Sequence, residues 1–205
     1  VNDYIREWGA VGFRSAFMLR RLDWLHELDV LYDASTFDTD PFEPQPDGCG
    51  SIYPFRVHAN GDGAGGGYVE LPYTMPQDST LFLLLRQPDP GTWLNKLGWI
   101  AEKGGQALVN VHPDYMNFNA DTAERGTYPA AHYQALLEEV KQQHEGEYWQ
   151  PLPKELGAYG DRVLSKEPER PRRRIAMVSF SFYESDNRVL RYAEALAARG
   201  DSVDI

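Results

Sequence analysis

Thr80-Leu81-Phe82-Leu83-Leu84-Leu85, then Pro90-Gly91-Thr92, then Ala107-Leu108-Val109-Asn110-Val111-His112-Pro113 is the stretch that decides the fold class. The first run is continuously apolar, the pattern of a strand buried on both faces. Pro90-Gly91-Thr92 opens a helix in which Trp93, Leu94, Leu97, Ile100 and Ala101 share one face, and Gly104-Gly105 closes it. From Ala107 the chain alternates: Ala107, Val109 and Val111 point one way, and Leu108, Asn110 and His112 the other. Strand, helix and strand in this order predict a β-α-β crossover with parallel, adjacent strands, and hence an α/β chain. Pro113 has no amide hydrogen and cannot continue a ladder, so His112 is expected at the mouth of its sheet. Taken alone, that strand end suits a packed histidine bonded to backbone better than a catalytic one.

Upstream, Ser15 is expected to cap a helix with Met18, Leu19, Leu22, Leu25 and Leu28 as its packed stripe. Val30-Leu31-Tyr32 reads as a short strand that ends in the polar cluster Asp33-Ala34-Ser35-Thr36. Phe37 to Gly50, rich in Asp, Pro and Gly, is a loop. Ile52 to Val57 and Tyr68 to Tyr73 read as two strands around the glycine-rich run Asn60 to Gly67. Those glycines lack a following Gly-Lys-Ser/Thr or helix, which excludes a phosphate-binding loop.

Downstream, Pro129 suits the first turn of a helix through Leu136, Leu137 and Val140. Glu147 to Pro153 then leads into a short segment near Tyr159. Ser165 to Arg174 is charged, proline-containing and without hydrophobic period, so residues 164–174 are expected to link a domain of residues 1–163 to a second of residues 175–205. In the second, Ile175 to Phe182 reads as a strand and Ser185 or Asp186 as a helix cap. Val189, Leu190, Ala193, Leu196 and Ala197 line one side of that helix, Gly200 ends it, and Ser202 to Ile205 begins another strand. This is the opening of a doubly wound, Rossmann-like unit.

The chain has 205 residues, 42% of them hydrophobic, and a net charge of -11 at pH 7. That length suits one domain, or one plus part of another. The acidic balance argues against nucleic acid as a partner. No apolar run is long enough to span a bilayer, and no signal peptide is recognisable. Cys49 is the single cysteine, which excludes an internal disulfide and fits a reducing, cytoplasmic setting. A start at Val1 and an end at Ile205 within a strand-like run lead us to expect a fragment of a longer protein.

Five short stretches carry a family resemblance in a fixed order: Gly12-Phe13-Arg14, Tyr32-Asp33-Ala34-Ser35, the run from Phe37 to Pro46, Gly67 to Tyr73, and Val111-His112-Pro113-Asp114-Tyr115. Together, from about Val1 to about Tyr159, they resemble the C-terminal part of polysaccharide deacetylases with the NodB homology domain, carbohydrate esterase family 4. The resemblance implies a partial, distorted (β/α) barrel. It also implies a hydrolase that removes N-acetyl groups from a glycan substrate, with a divalent metal, often zinc, activating water. By this resemblance His112 is the general acid and Arg14 orients the catalytic base. Asp33 loosely matches a further catalytic motif whose usual tryptophan is missing, and Asp114 and Tyr115 are candidate substrate contacts. The family's Asp-Asp pair and His-x-x-x-His, which supply the base and the metal ligands, have no counterpart here. His132 and His144 are too far apart to replace them. The chain alone is therefore expected to lack the metal site and to be inactive. The tail from Ser179 to Gly200 is similar to the start of a GT-B glycosyltransferase, which implies a deacetylase fused to a sugar transferase.

Two other readings stand beside this one. A carbohydrate-binding module would keep the groove and exposed aromatics such as Tyr115 and Trp149 without catalysis. An N-terminal piece of a glycosyltransferase is the third.

Overall fold

A computed structural model describes residues 1–15, 21–38, 48–59, 66–119, 125–165, 174–176, 187–198 and 202–204. They fall in two compact units, Val1–Lys166 and Glu167–Ile205.

The first unit opens with α1 (Asn2–Trp8), β1 (Gly12–Phe13), the single-turn α2 (Leu22–Leu25) and β2 (Tyr32–Asp33). The longer helix expected from Phe17 is therefore represented by four residues preceded by an extended Arg21, and residues 16–20 lie outside the described ones. The cap expected at Ser15 would act on residues outside the described ones; the Ser15 backbone N–H donates to Ser35 Oγ at 2.7 Å, tying the end of β1 to that of β2. The strands expected on either side of the glycine run are β3 (Phe55–His58) and β4 (Gly67–Glu70), paired antiparallel, while residues 60–65 lie outside the described ones. The sheet runs β1-β2-β4-β3, with the first three strands parallel. It is a mixed, open sheet, and no closed barrel forms among the described residues.

The expected strand at Thr80 to Leu85 is a π-helix, Ser79–Leu84. Thr80, Leu81 and Phe82 are buried while Leu84 is 71% exposed, so the run buries one side only. A short apolar run has no period that separates strand from helix. Its start is fixed by the Asp78 carboxylate, which accepts the Ser79 N–H at 2.7 Å. The predicted crossover between residues 80 and 112 is thus absent.

The stretch that carries His112 has a different neighbour. Extended residues 106–112 lie beside 72–78, the continuation of β4. The N–H groups of Thr74 and Met75 both donate to Leu108 O, at 2.9 and 3.1 Å, and Asp78 N–H donates to Asn110 O at 3.4 Å. Two amides sharing one carbonyl break the regular ladder, so the expected strand is an extended segment rather than a named one. Val109 and Val111 still pack on the core, as the alternation predicts, although Ala107 is exposed.

α3 (Gly91–Lys103) has the predicted bounds and a buried face of Trp93, Leu97 and Ile100, but Ala101 is exposed. Gly104 ends it in the left-handed region at φ 65°, with open space where a Cβ would stand. Gly104→Ala is therefore expected to cost about 1 kcal/mol through backbone conformation alone, read as a lower urea midpoint at unchanged slope.

A 3-10 turn (Pro113–Tyr115) and β5 (Met116–Asn117) follow, with β5 parallel to β6 (Tyr128–Pro129), and then α4 (Ala130–Gln143). On α4 Leu136 is buried, whereas Leu137 is half exposed. The segment near Tyr159 is a full helix, α5 (Pro153–Leu164), begun by Glu155 accepting the Leu152 N–H at 2.8 Å. Its glycines allow close approach to the sheet: a Cβ at Gly157 would stand 2.8 Å from the Tyr32 ring, and one at Gly160 would stand 2.9 Å from Val69. The main core joins the π-helix, α3 and α4. Trp93 is fully buried, meets Phe82 edge-on at 4.9 Å and donates from Nε1 to Pro76 O at 2.7 Å.

The second unit has β7 (Arg174–Ala176), α6 (Asn187–Ala198) and β8 (Ser202–Asp204), with β7 and β8 parallel. Ala193 is its buried helical residue, and Ala197 is exposed. Most of the strand expected from Ile175 to Phe182 lies outside the described residues.

Candidate functional site

Two clusters of titratable side chains sit toward the carboxyl ends of the parallel chain segments. The first joins Asp78 and His112, 34 residues apart. Asp78 is fully buried. Its Oδ1 lies 2.7 Å from His112 Nδ1, and its Oδ2 accepts the His112 backbone N–H at 2.6 Å and the Tyr128 hydroxyl at 3.1 Å. With Nδ1 held against a carboxylate, that nitrogen carries the proton, and Nε2 is left to exchange one. The His112 side chain keeps 39% of its exposure, so this nitrogen belongs to a ring that solvent and solutes reach. Burial, and then the Asp78 charge, push the Tyr128 phenol well above its ordinary pKa, so its hydroxyl remains a donor.

Tyr115 stands next to this pair, its ring 5.0 Å from that of His112. Asp114, in the same turn, is exposed. Pro113 follows His112 and begins that turn, so the sequence signal for a chain reversal there corresponds to a real one.

The second cluster holds Asp33. It is fully buried and accepts hydrogen bonds from Ser35, backbone N–H to Oδ2 and hydroxyl to Oδ1, both at 2.8 Å. Its register partner on β4 is Glu70, also fully buried. Glu70 Oε1 accepts both the backbone N–H and the hydroxyl of Thr36, while Oε2 has no donor. Burial first, and the Asp33 charge second, push the Glu70 carboxyl up to about 8. A carboxyl raised in this way favours its protonated form near neutral pH, and Asp33 is the neighbour that a proton on Glu70 would bond.

Arg14 lies in neither cluster: it is exposed, with its guanidinium 5.8 Å from the centre of the Tyr73 ring. Of the sequence-selected residues, His112 and Tyr115 are in ring contact with Asp114 in the same turn, while Asp33 bonds Ser35 and Arg14 lies against the Tyr73 ring.

No family model, curated protein or solved structure matches this chain.

Asp78, Tyr128 and Glu70 were not singled out by sequence. The Asp78-Ser79 pair before an apolar run is a helix-start signal, and it is the one clue that would have drawn attention to Asp78. Other candidates are chemically quieter. Burial pushes the Cys49 thiol up and away from thiolate chemistry. Burial likewise lowers His132, which sits 4.9 Å from the Phe82 ring. A hollow of about 400 Å³ lined by Gly9, Val11, Tyr32, Leu152 and Lys154 opens at the amino ends of β1 and β2 and contains neither cluster. Among the described residues, no group of three or more His, Cys, Asp or Glu side chains is placed to hold a metal ion. No helix among them is long and apolar enough to cross a membrane.

Proposed function

We propose that this chain is the C-terminal, proton-donating part of a NodB-type polysaccharide deacetylase, followed by the start of a GT-B-like sugar transferase domain. The observation that carries the reading is the Asp78–His112 pair: a half-exposed imidazole at a chain reversal, with Nδ1 against a buried carboxylate. Amide hydrolysis requires a proton for the departing amine, and an imidazole so held delivers one from Nε2. The substrate is a glycan bearing N-acetyl groups, and the turn of exposed Asp114 and partly buried Tyr115 beside His112 is where its sugar would rest. The family's metal does not fit the described residues, so no step is assigned through it. This chain supplies the acid, and the water-activating half is assigned to none of its described side chains.

The test is acetate release from N-acetylated oligosaccharides by the natural polypeptide that contains this chain, with and without chelator. His112→Gln is expected to lower kcat by about 100-fold or more. Undiminished release from the variant removes the reading.

The second reading, a carbohydrate-binding module, is favoured by Trp149 and Tyr159, half exposed and edge-to-face at 5.6 Å, a pair suited to stacking on sugar rings. Saccharide binding that Trp149→Ala abolishes, in a polypeptide that releases no acetate, selects it.

A further inference from the structure

We propose that Tyr128 is a positioning residue for the His112 proton donor, holding the Asp78 carboxylate in the rotation that faces the imidazole. Its catalytic meaning rests on the deacetylase reading, whereas its geometry does not.

The two oxygens of Asp78 are divided between four donors. Oδ1 accepts the Ser79 N–H and faces His112 Nδ1, both at 2.7 Å. Oδ2 accepts the His112 N–H at 2.6 Å and the Tyr128 hydroxyl at 3.1 Å. The terminal torsion of an aspartate is broad, so its donors set the plane of the carboxylate. Ser79 is adjacent in the chain and His112 is the group being supported. Tyr128 is the one donor from a separate element, β6.

That donor is itself fixed by the core. The Tyr128 ring lies 4.7 Å from Phe82 and stacks on His132 at 6.3 Å. Among the described residues, the titratable groups around the assembly are Tyr133 of α4, which faces Tyr128, Asp89, which faces His132, and Tyr115, which faces His112. Asp78 has no solvent exposure, so water does not replace a lost hydroxyl.

A donor on a carboxylate draws off part of its negative charge. Without the Tyr128 hydroxyl, Oδ2 keeps only the His112 backbone N–H, and more charge is directed at the imidazole ring. The ring then holds its proton to higher pH and surrenders it less readily.

The experiment is Tyr128→Phe in the full chain, with the His112 ring followed by NMR. The expected result is a His112 titration displaced upward by about half a pH unit or more, together with a moved Nδ1–H resonance. In the natural polypeptide, kcat should fall about 3- to 10-fold at unchanged KM, and the alkaline limb of the rate profile should move up with the titration. Replacing Tyr128 by 3-fluorotyrosine supplies a stronger donor in the same volume and is expected to move the His112 signals the opposite way. This keeps the test decisive even where the Phe variant folds poorly. His112 signals that stay in place with 3-fluorotyrosine overturn the proposal. Shifted signals without deacetylation by any form support the Tyr128 assignment and remove the enzyme reading. Deacetylation with unshifted signals removes the Tyr128 assignment alone.

Discussion

Asp78→Ala is expected to lower the unfolding free energy by on the order of 4 kcal/mol and, if the proposed deacetylase reading holds, to abolish acetate release by the natural polypeptide as thoroughly as loss of His112 does. Asp78 is fully buried and accepts from Ser79 N–H, His112 N–H, His112 Nδ1–H and the Tyr128 hydroxyl. Alanine leaves all four donors without their acceptor. Each buried donor left bare costs about 1–3 kcal/mol, less at the His112 ring, which water reaches. The carboxylate also ties residues 106–112 to 72–78, so its loss frees the turn that presents His112. Asp78→Asn separates an acceptor role from a space-filling one. Whichever way the amide is turned, its NH2 group opposes one backbone N–H, that of Ser79 or of His112, while the partner beside it, His112 Nδ1 or the Tyr128 hydroxyl, can turn to accept, so asparagine should cost less than alanine but a clearly measurable amount. Urea unfolding of the three proteins decides the matter: a near-neutral Asp78→Asn would contradict the four-donor arrangement.

The sequence carried the local elements better than the pairings between them. β3 and β4 were legible from the runs on either side of the glycines, and α3 from Gly91 and Gly104, because these signals lie within a few residues of the structure they report. Residues 80–85 misled because a short apolar run has no period, and the facts that decide it are distant: Trp93 reaches Pro76 O, and residues 106–112, expected beside 80–85, pair with 72–78. His112 was visible because Pro113 marks a chain end. Asp78, its partner, was not, since the two meet only after 34 residues of chain have folded back. Glu70 was hidden for a related reason. As a polar residue in an alternating strand it reads as solvent-facing, yet β4 lies between β2 and β3 with Val69 against α5, and Glu70 faces inward beside Asp33.

That inward carboxyl makes the stability of the protein depend on pH with a definite sign. The folded state holds the Glu70 proton up to about pH 8, whereas the unfolded chain releases it near 4.5. Between these values the folded state binds more protons, so its stability falls as pH rises. The Glu70 contribution is fully present below pH 4.5 and is lost by about pH 8. Its span is on the order of 5 kcal/mol. Glu70→Gln should abolish this slope. The carboxamide oxygen accepts from Thr36 as Oε1 does, and the amide NH2 stands where Oε2 lacks a donor and bonds Asp33 without a proton to lose. Unfolding in urea at pH 5 and pH 8.5 is therefore expected to give similar stabilities for the two proteins at the lower pH and a clearly more stable variant at the higher. Asp33→Asn should flatten the slope only in part, because burial, the larger cause of the shift, remains after the neighbouring charge is gone. Parallel pH curves for the natural chain and Glu70→Gln would show that the two carboxyls do not share a proton in the folded state.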